Sequence, residues 1–119
     1  MRLLYVDDDR INTLVFTETC RLVEGLEVAS AATGAEAEEQ TLEWQPQVLV
    51  IDLNLPDTDG ISLMQRLRET CGASTPAYLC TADDSRAVRE RAEQAGFDGC
   101  WSKPVELASL LSQLRRLAG

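Results

Sequence analysis

Two short apolar runs, 3–6 and 48–51, carry no charged residue and stop abruptly on aspartate, at Asp7 and at Asp52. A strand whose side chains alternate between two faces can be apolar at every position only if both faces are covered. Such runs therefore point to central strands of a parallel sheet sandwiched by helices. The run 77–80 reads as a third strand of this kind, while 26–29 and 100–102 are shorter or more polar and suit the sheet edges.

Helical periodicity fills the gaps between these runs. Ile11, Leu14, Val15, Leu22 and Val23 form one stripe, Ile61, Met64 and Leu67 another, and Leu107, Leu110, Leu111, Leu114 and Leu117 the clearest. An Ala- and Glu-rich segment from Gly34 to Trp44 has Leu42 as its main anchor, and Ala87, Val88, Ala92 and Ala95 mark the remaining helix. Asp84 or Ser85 can cap that helix, and Gly96 is placed to end it in a left-handed conformation. Five strands thus alternate with five helices. Right-handed crossovers then predict an α/β flavodoxin-like, doubly wound, five-stranded parallel sheet of order 2-1-3-4-5. The last Leu stripe spans too few heptads for a coiled coil and is assigned to the core.

The chain of 119 residues fits one compact domain over 1–119, with 45% hydrophobic and 26% charged residues. The net charge of −9, from 20 acidic and 11 basic residues with no basic stripe, argues against direct nucleic-acid binding. No apolar run is long enough to span a bilayer and the first strand follows Met1-Arg2 directly, so membrane insertion is not expected and a cytoplasmic location is. Cys20, Cys71, Cys80 and Cys100 contain no CxxC pair and the chain has no histidine, so reduced thiols are expected rather than a zinc site. Thr81 and Cys100 should share one side of neighbouring strands with Cys80 on the other, which argues against a Cys80–Cys100 disulfide.

In a sheet of this type, ligands bind outside the carboxyl ends of the strands. Asp7 and Asp8 follow the first strand, Asp52 the third, Thr81 ends the fourth, and Lys103 lies just past the fifth. Crowded carboxylates repel one another unless a cation neutralises them, and an all-oxygen set without thiol or imidazole favours magnesium, or manganese. Asp8 and Asp52 are expected to bind it directly, Asp7 through water, and the backbone carbonyl of Asn54 as a further ligand. Asp52, alone at the sheet centre, is the candidate nucleophile toward phosphorus, with Lys103 neutralising charge and Thr81 supplying a hydroxyl to a phosphoryl oxygen. Asp9, Asp57 and Asp59 read as cap or turn residues.

Val6-Asp7-Asp8-Asp9, Asp52-Leu53-Asn54-Leu55-Pro56 with Asp59-Gly60, Thr81-Ala82 and Lys103-Pro104, in that order, resemble the receiver signature of response regulators of two-component systems. The resemblance covers essentially the whole chain. It implies a phosphoaccepting signalling domain rather than an enzyme, with phosphotransfer and slow autodephosphorylation only. It also implies a partner histidine kinase or histidine phosphotransfer protein donating to Asp52, a downstream effector of unknown identity, and a cis Lys103-Pro104 bond. One departure stands out. The family usually places Tyr or Phe three residues before the lysine, where this chain has Cys100 followed by Trp101; Trp101 is either a repacked substitute or a cover for the other side of the strand. Thr81, Cys100 and Trp101 are therefore the candidate switch residues. The alternatives are a pseudo-receiver that binds partners without phosphorylation, a receiver segment of a hybrid histidine kinase, and an aspartyl phosphohydrolase, disfavoured because Asn54 stands where its second acid belongs. A flavin-binding reading is weaker still, for want of a Ser/Thr/Gly-rich loop after the first strand.

Overall fold

The computed structural model describes residues 1–103 and 105–119. Its elements alternate as β1 (Arg2–Val6), α1 (Arg10–Cys20), β2 (Glu27–Ala31), α2 (Gly34–Trp44), β3 (Val48–Ile51), α3 (Gly60–Cys71), β4 (Ala77–Thr81), α4 (Arg86–Ala95), β5 (Gly99–Ser102) and α5 (Leu107–Ala118). All strand pairs are parallel and the order is β2-β1-β3-β4-β5, as the right-handed crossover rule predicts. Every side chain of β3 is buried, which accounts for its unbroken apolar sequence.

The pleat divides the core in two. Leu4, Val6, Leu49, Ile51 and Leu79 pack under Ala37 of α2, Leu63, Met64 and Leu67 of α3, and Val88 and Ala92 of α4. Leu3, Tyr5, Val48, Val50 and Cys80 face Phe16 and Cys20 of α1 and Leu110 and Leu114 of α5. The register sets Leu79 beside Cys100 and Cys80 beside Trp101, so the two cysteines lie on opposite faces and all four thiols are free.

Several expected helix anchors face water instead. Ile11, Leu14, Val15 and Leu22 are exposed, and α1 meets the sheet through Phe16, Thr19 and Cys20, with Val23 buried just beyond it. Thr19 can sit on the inner face because its hydroxyl donates to the Val15 carbonyl at 2.7 Å and needs no further partner. Leu42 is likewise exposed; α2 lies down on the small residues Gly34, Ala37 and Thr41, a contact in which no large anchor is needed. Leu107 and Ala87 are exposed at the first turns of α5 and α4. The second strand runs from Glu27 to Ala31 rather than over 26–29.

Caps set the helix starts. Asp9 accepts from the Ile11 and Asn12 N–H groups, Asp59 from Ser62 and Ser85 from Val88, while Gly96 closes α4 at φ 101°. At the amino end of β4, the Arg68 guanidinium on α3 donates to the carbonyls of Thr75 (3.0 and 2.8 Å) and Gly96 (2.9 Å) and to Asp98 Oδ2 (3.2 Å). That carboxylate oxygen also accepts from the Ala77 N–H at 2.9 Å. One planar fork thereby joins α3, the loop before β4 and the connection from α4 to β5.

Candidate functional site

Parallel pairing extends one residue past three strands. The N–H of Asp7 donates to Ala31 O (3.0 Å), that of Asp52 to Val6 O (2.9 Å) and that of Lys103 to Thr81 O (2.9 Å). Each residue therefore leaves the sheet with its backbone still tied to a neighbouring strand. Asp7 is in phase with Tyr5, Asp52 with Val50 and Lys103 with Trp101, so all three side chains start from the α1/α5 side of the pleat. They meet there. Lys103 Nζ lies 2.5 Å from Asp7 Oδ2 and 3.3 Å from Asp52 Oδ2.

Asp8 completes the group. A carboxylate oxygen from each of Asp7, Asp8 and Asp52 lies within 4.8 Å of the others. The three are graded in burial, with Asp7 buried, Asp52 half-buried and Asp8 exposed. Asp7 is held by three donors: Oδ1 accepts from the Asp9 N–H (2.9 Å), and Oδ2 from Lys103 and from the Tyr5 hydroxyl (2.7 Å). Burial and the Asp7 hydrogen bond push the Tyr5 phenol far above its ordinary range, so it stays a donor.

The charges in this crevice oppose one another. Burial drives the Asp52 carboxyl upward, the Lys103 ammonium pulls it partly back, and Asp7 pushes it up again, leaving it raised. For Lys103, burial works against the charged form, but the Asp7 hydrogen bond and the Asp52 and Asp7 charges outweigh it and hold the ammonium above its usual range. Three clustered carboxylates facing a single ammonium leave uncompensated negative charge. A small cation that prefers oxygen fits this donor set of Asp7, Asp8 and Asp52.

Asn54 lies in the β3–α3 loop, bridged to Asp59 through the Gly60 N–H to Leu53 O bond (2.7 Å) and the Leu55 N–H to Thr58 O bond (3.2 Å). That bridge does not use the Asn54 carbonyl. Thr81 is buried at the end of β4, and its Oγ1 accepts from the Asp83 N–H at 3.1 Å. Cys100 packs toward the α4 side, whereas Trp101 packs on the α1/α5 side against Phe16 and Tyr78. The Trp101 ring thus does not replace the aromatic expected at position 100. The Lys103-Pro104 bond lies outside the described residues.

Two residues escaped the sequence reading. Tyr5 was legible only as an apolar strand member, although a tyrosine two residues before an aspartate on one strand face is a pattern that could have flagged it. Asp57, expected to serve its own turn, reaches across to α2 and accepts from the N–H groups of Gly34 (2.8 Å) and Ala35 (3.0 Å). No local signal announces that contact. The Gly34 N–H chiefly holds the Asp57 carboxyl below its usual range. A lowered carboxyl stabilises the fold above its unfolded value and loses that effect as pH falls through the folded one. Asp57→Ala should therefore melt at a lower temperature than wild type at pH 7, with the gap closing below about pH 4; thermal melts across that range check this, and a gap unchanged by pH would contradict it.

Comparison with known proteins identifies the family. The family model described as the response regulator receiver domain matches residues 3–115, and the chain belongs to that family. It is 35% identical over 116 residues to the transcriptional regulatory protein PrrA of Mycobacterium tuberculosis, covering 98% of this chain and 49% of that protein. It is 36% identical over 117 residues to the response regulator MprA of Mycobacterium leprae, covering 98% and 50%. The chain thus spans about half the length of these curated relatives. Among solved structures it resembles a CheY-like receiver domain protein of Methanospirillum hungatei (TM-score 0.86, 26% identity, 98% and 92% covered). It also resembles the HemR receiver domain of Leptospira biflexa (TM-score 0.87, 27% identity, 99% and 94% covered). The chain is therefore a receiver domain of a two-component response regulator. Among the described residues, no helix is long and apolar enough to cross a membrane.

Proposed function

We propose that this receiver domain accepts a phosphoryl group on Asp52 from the phosphohistidine of a histidine kinase or phosphotransfer protein. The observation that carries this reading is the half-buried Asp52 carboxylate set beside two further carboxylates, with the Lys103 ammonium bridging it to Asp7. An Asp52 oxygen forms the new bond to phosphorus, while the bond from phosphorus to the donor nitrogen breaks and its electron pair leaves with the imidazole. Lys103, already within reach of Asp52, neutralises charge on the transferred group. Magnesium, held by Asp8, Asp52, the Asn54 carbonyl and, through water, Asp7, would supply further positive charge.

Switching begins at Thr81. If its hydroxyl turns to the phosphoryl group, the Asp83 N–H loses its acceptor and the loop into α4 is freed. Arg89 of α4 donates to the Asp84 carbonyl (3.2 Å) and to Ser102 Oγ (3.1 Å), so this loop is linked to β5 beside Cys100. Output through α4, β5 and α5 then proceeds without an aromatic at position 100.

Intact-protein mass spectrometry after incubation with acetyl phosphate and magnesium tests the reading. Wild type should gain one phosphoryl group and Asp52→Asn none. A folded wild type that stays unmodified would leave a protein-interaction module that keeps the fold without the chemistry.

A further inference from the structure

Tyr78, Trp101, Phe16 and Tyr5 form one continuous aromatic column on the α1/α5 side of the sheet. Ring centroids are 5.0 Å apart from Tyr78 to Trp101, 6.4 Å from Trp101 to Phe16 and 4.0 Å from Phe16 to Tyr5, the last pair inclined by only 12°. The column ends in the acidic crevice, where the Tyr5 hydroxyl donates to Asp7 Oδ2. A buried phenol needs an acceptor, but any backbone carbonyl would satisfy it. Here the acceptor is a fully buried carboxylate beside the candidate phosphoacceptor, and the oxygen is the one that also receives Lys103.

We propose that Tyr5 is a positioning residue for Asp7: its hydroxyl helps fix the carboxylate in the pose that serves magnesium, and its ring ties that pose to Trp101. The proposal rests on the phosphoacceptor reading and extends it to a residue that touches neither phosphate nor metal. With Tyr5, Lys103 and the Asp9 N–H in place, both oxygens of Asp7 are held from separate directions. Removing one donor lets the carboxylate reorient, and ordering it again opposes metal binding. A shift of Asp7 on metal binding has a short mechanical route to the tryptophan, because each ring in the column is packed on the next.

The test uses the full chain with Trp44→Phe as parent, leaving Trp101 the sole tryptophan. Magnesium chloride alone is titrated, with the dissociation constant from calorimetry and Trp101 emission as a second readout. The parent should bind magnesium with a saturable emission change. Adding Tyr5→Phe, which keeps the ring, should raise the dissociation constant at least threefold and at least halve the emission change. Adding Phe16→Leu, which keeps the hydroxyl and interrupts the column, should leave the constant within twofold and abolish the emission change. Equal constants for the parent and Tyr5→Phe overturn the proposal, as does Phe16→Leu weakening binding as much as Tyr5→Phe, since packing alone would then explain both. Should Tyr5→Phe fold poorly, 3-fluorotyrosine incorporated in the parent gives the same answer: the position-5 fluorine resonance should move with magnesium, and a stationary signal overturns the proposal. A parent with neither magnesium binding nor an Asp52 adduct would remove the phosphoacceptor reading and this proposal together; a parent that shows both, indifferent to Tyr5→Phe, would remove this proposal alone.

Discussion

Gly60→Ala should destabilise the fold by about 3 kcal/mol or more and impair phosphorylation of whatever protein still folds. A Cβ built on Gly60 would lie 2.1 Å from the Asp52 carbonyl oxygen, 2.9 Å from its carbonyl carbon and 3.1 Å from Ile51 Cγ2. Two of those atoms are backbone at the end of β3, so no rotamer change relieves the clash. Either α3 withdraws or Asp52 moves, and the second outcome displaces the carboxylate at the centre of the crevice. Gly25→Ala is the natural control. Gly25 has φ 83° and nothing within 4 Å of the added carbon, so only its left-handed backbone is strained, at roughly 1 kcal/mol. Thermal melts should separate the two variants by several degrees. Equal losses would mean that the approach of α3 to β3 is softer than the packing implies.

Lys103→Met should cost about 3 kcal/mol near neutral pH, because it leaves two buried or half-buried carboxylates facing each other without their cation. The pH dependence identifies the cause. Lys103 is raised, so its favourable contribution is complete below its unfolded value and disappears only as pH rises through the higher folded one, above about pH 10. Asp52 is raised too, so its ionisation increasingly opposes folding as pH climbs from the unfolded carboxyl value through the folded one. Without the ammonium that conflict deepens. As pH falls from about 8 toward about 5 the variant should recover more stability than wild type does, and millimolar magnesium should restore part of the loss at about pH 8. Denaturant unfolding at the two pH values, with and without the metal, measures this; parallel profiles would show that Lys103 does not neutralise the crevice.

The parts of the molecule legible in advance were those where one physical rule acts alone. Burial on both faces makes residues 3–6 of β1 and all of β3 apolar, and the crevice that opens at the strand ends makes Asp7 and Asp52 abrupt, so strands and crevice announce themselves together. The orientation of α1 was not legible, because Ile11, Leu14 and Val15 offer a plausible apolar stripe while the face that is buried includes Thr19, a polar residue that satisfies itself. The site shows the same division. The carboxylates and Lys103 follow from strand ends, but the bonds from Tyr5 to Asp7 and from Asp57 to α2 depend on tertiary approach that no local pattern encodes. The side taken by Trp101 followed from register once β5 was placed beside β4.

Arg68 lies at the amino end of β4, opposite the strand ends that carry the carboxylates, and its hydrogen bonds tie two connections to α3 with one side chain. Cohesion and chemistry are thereby assigned to opposite poles of the molecule. A rearrangement at the acidic pole would therefore leave the contacts of the distant guanidinium undisturbed, so the crevice can change shape while the far end of the sheet stays tied.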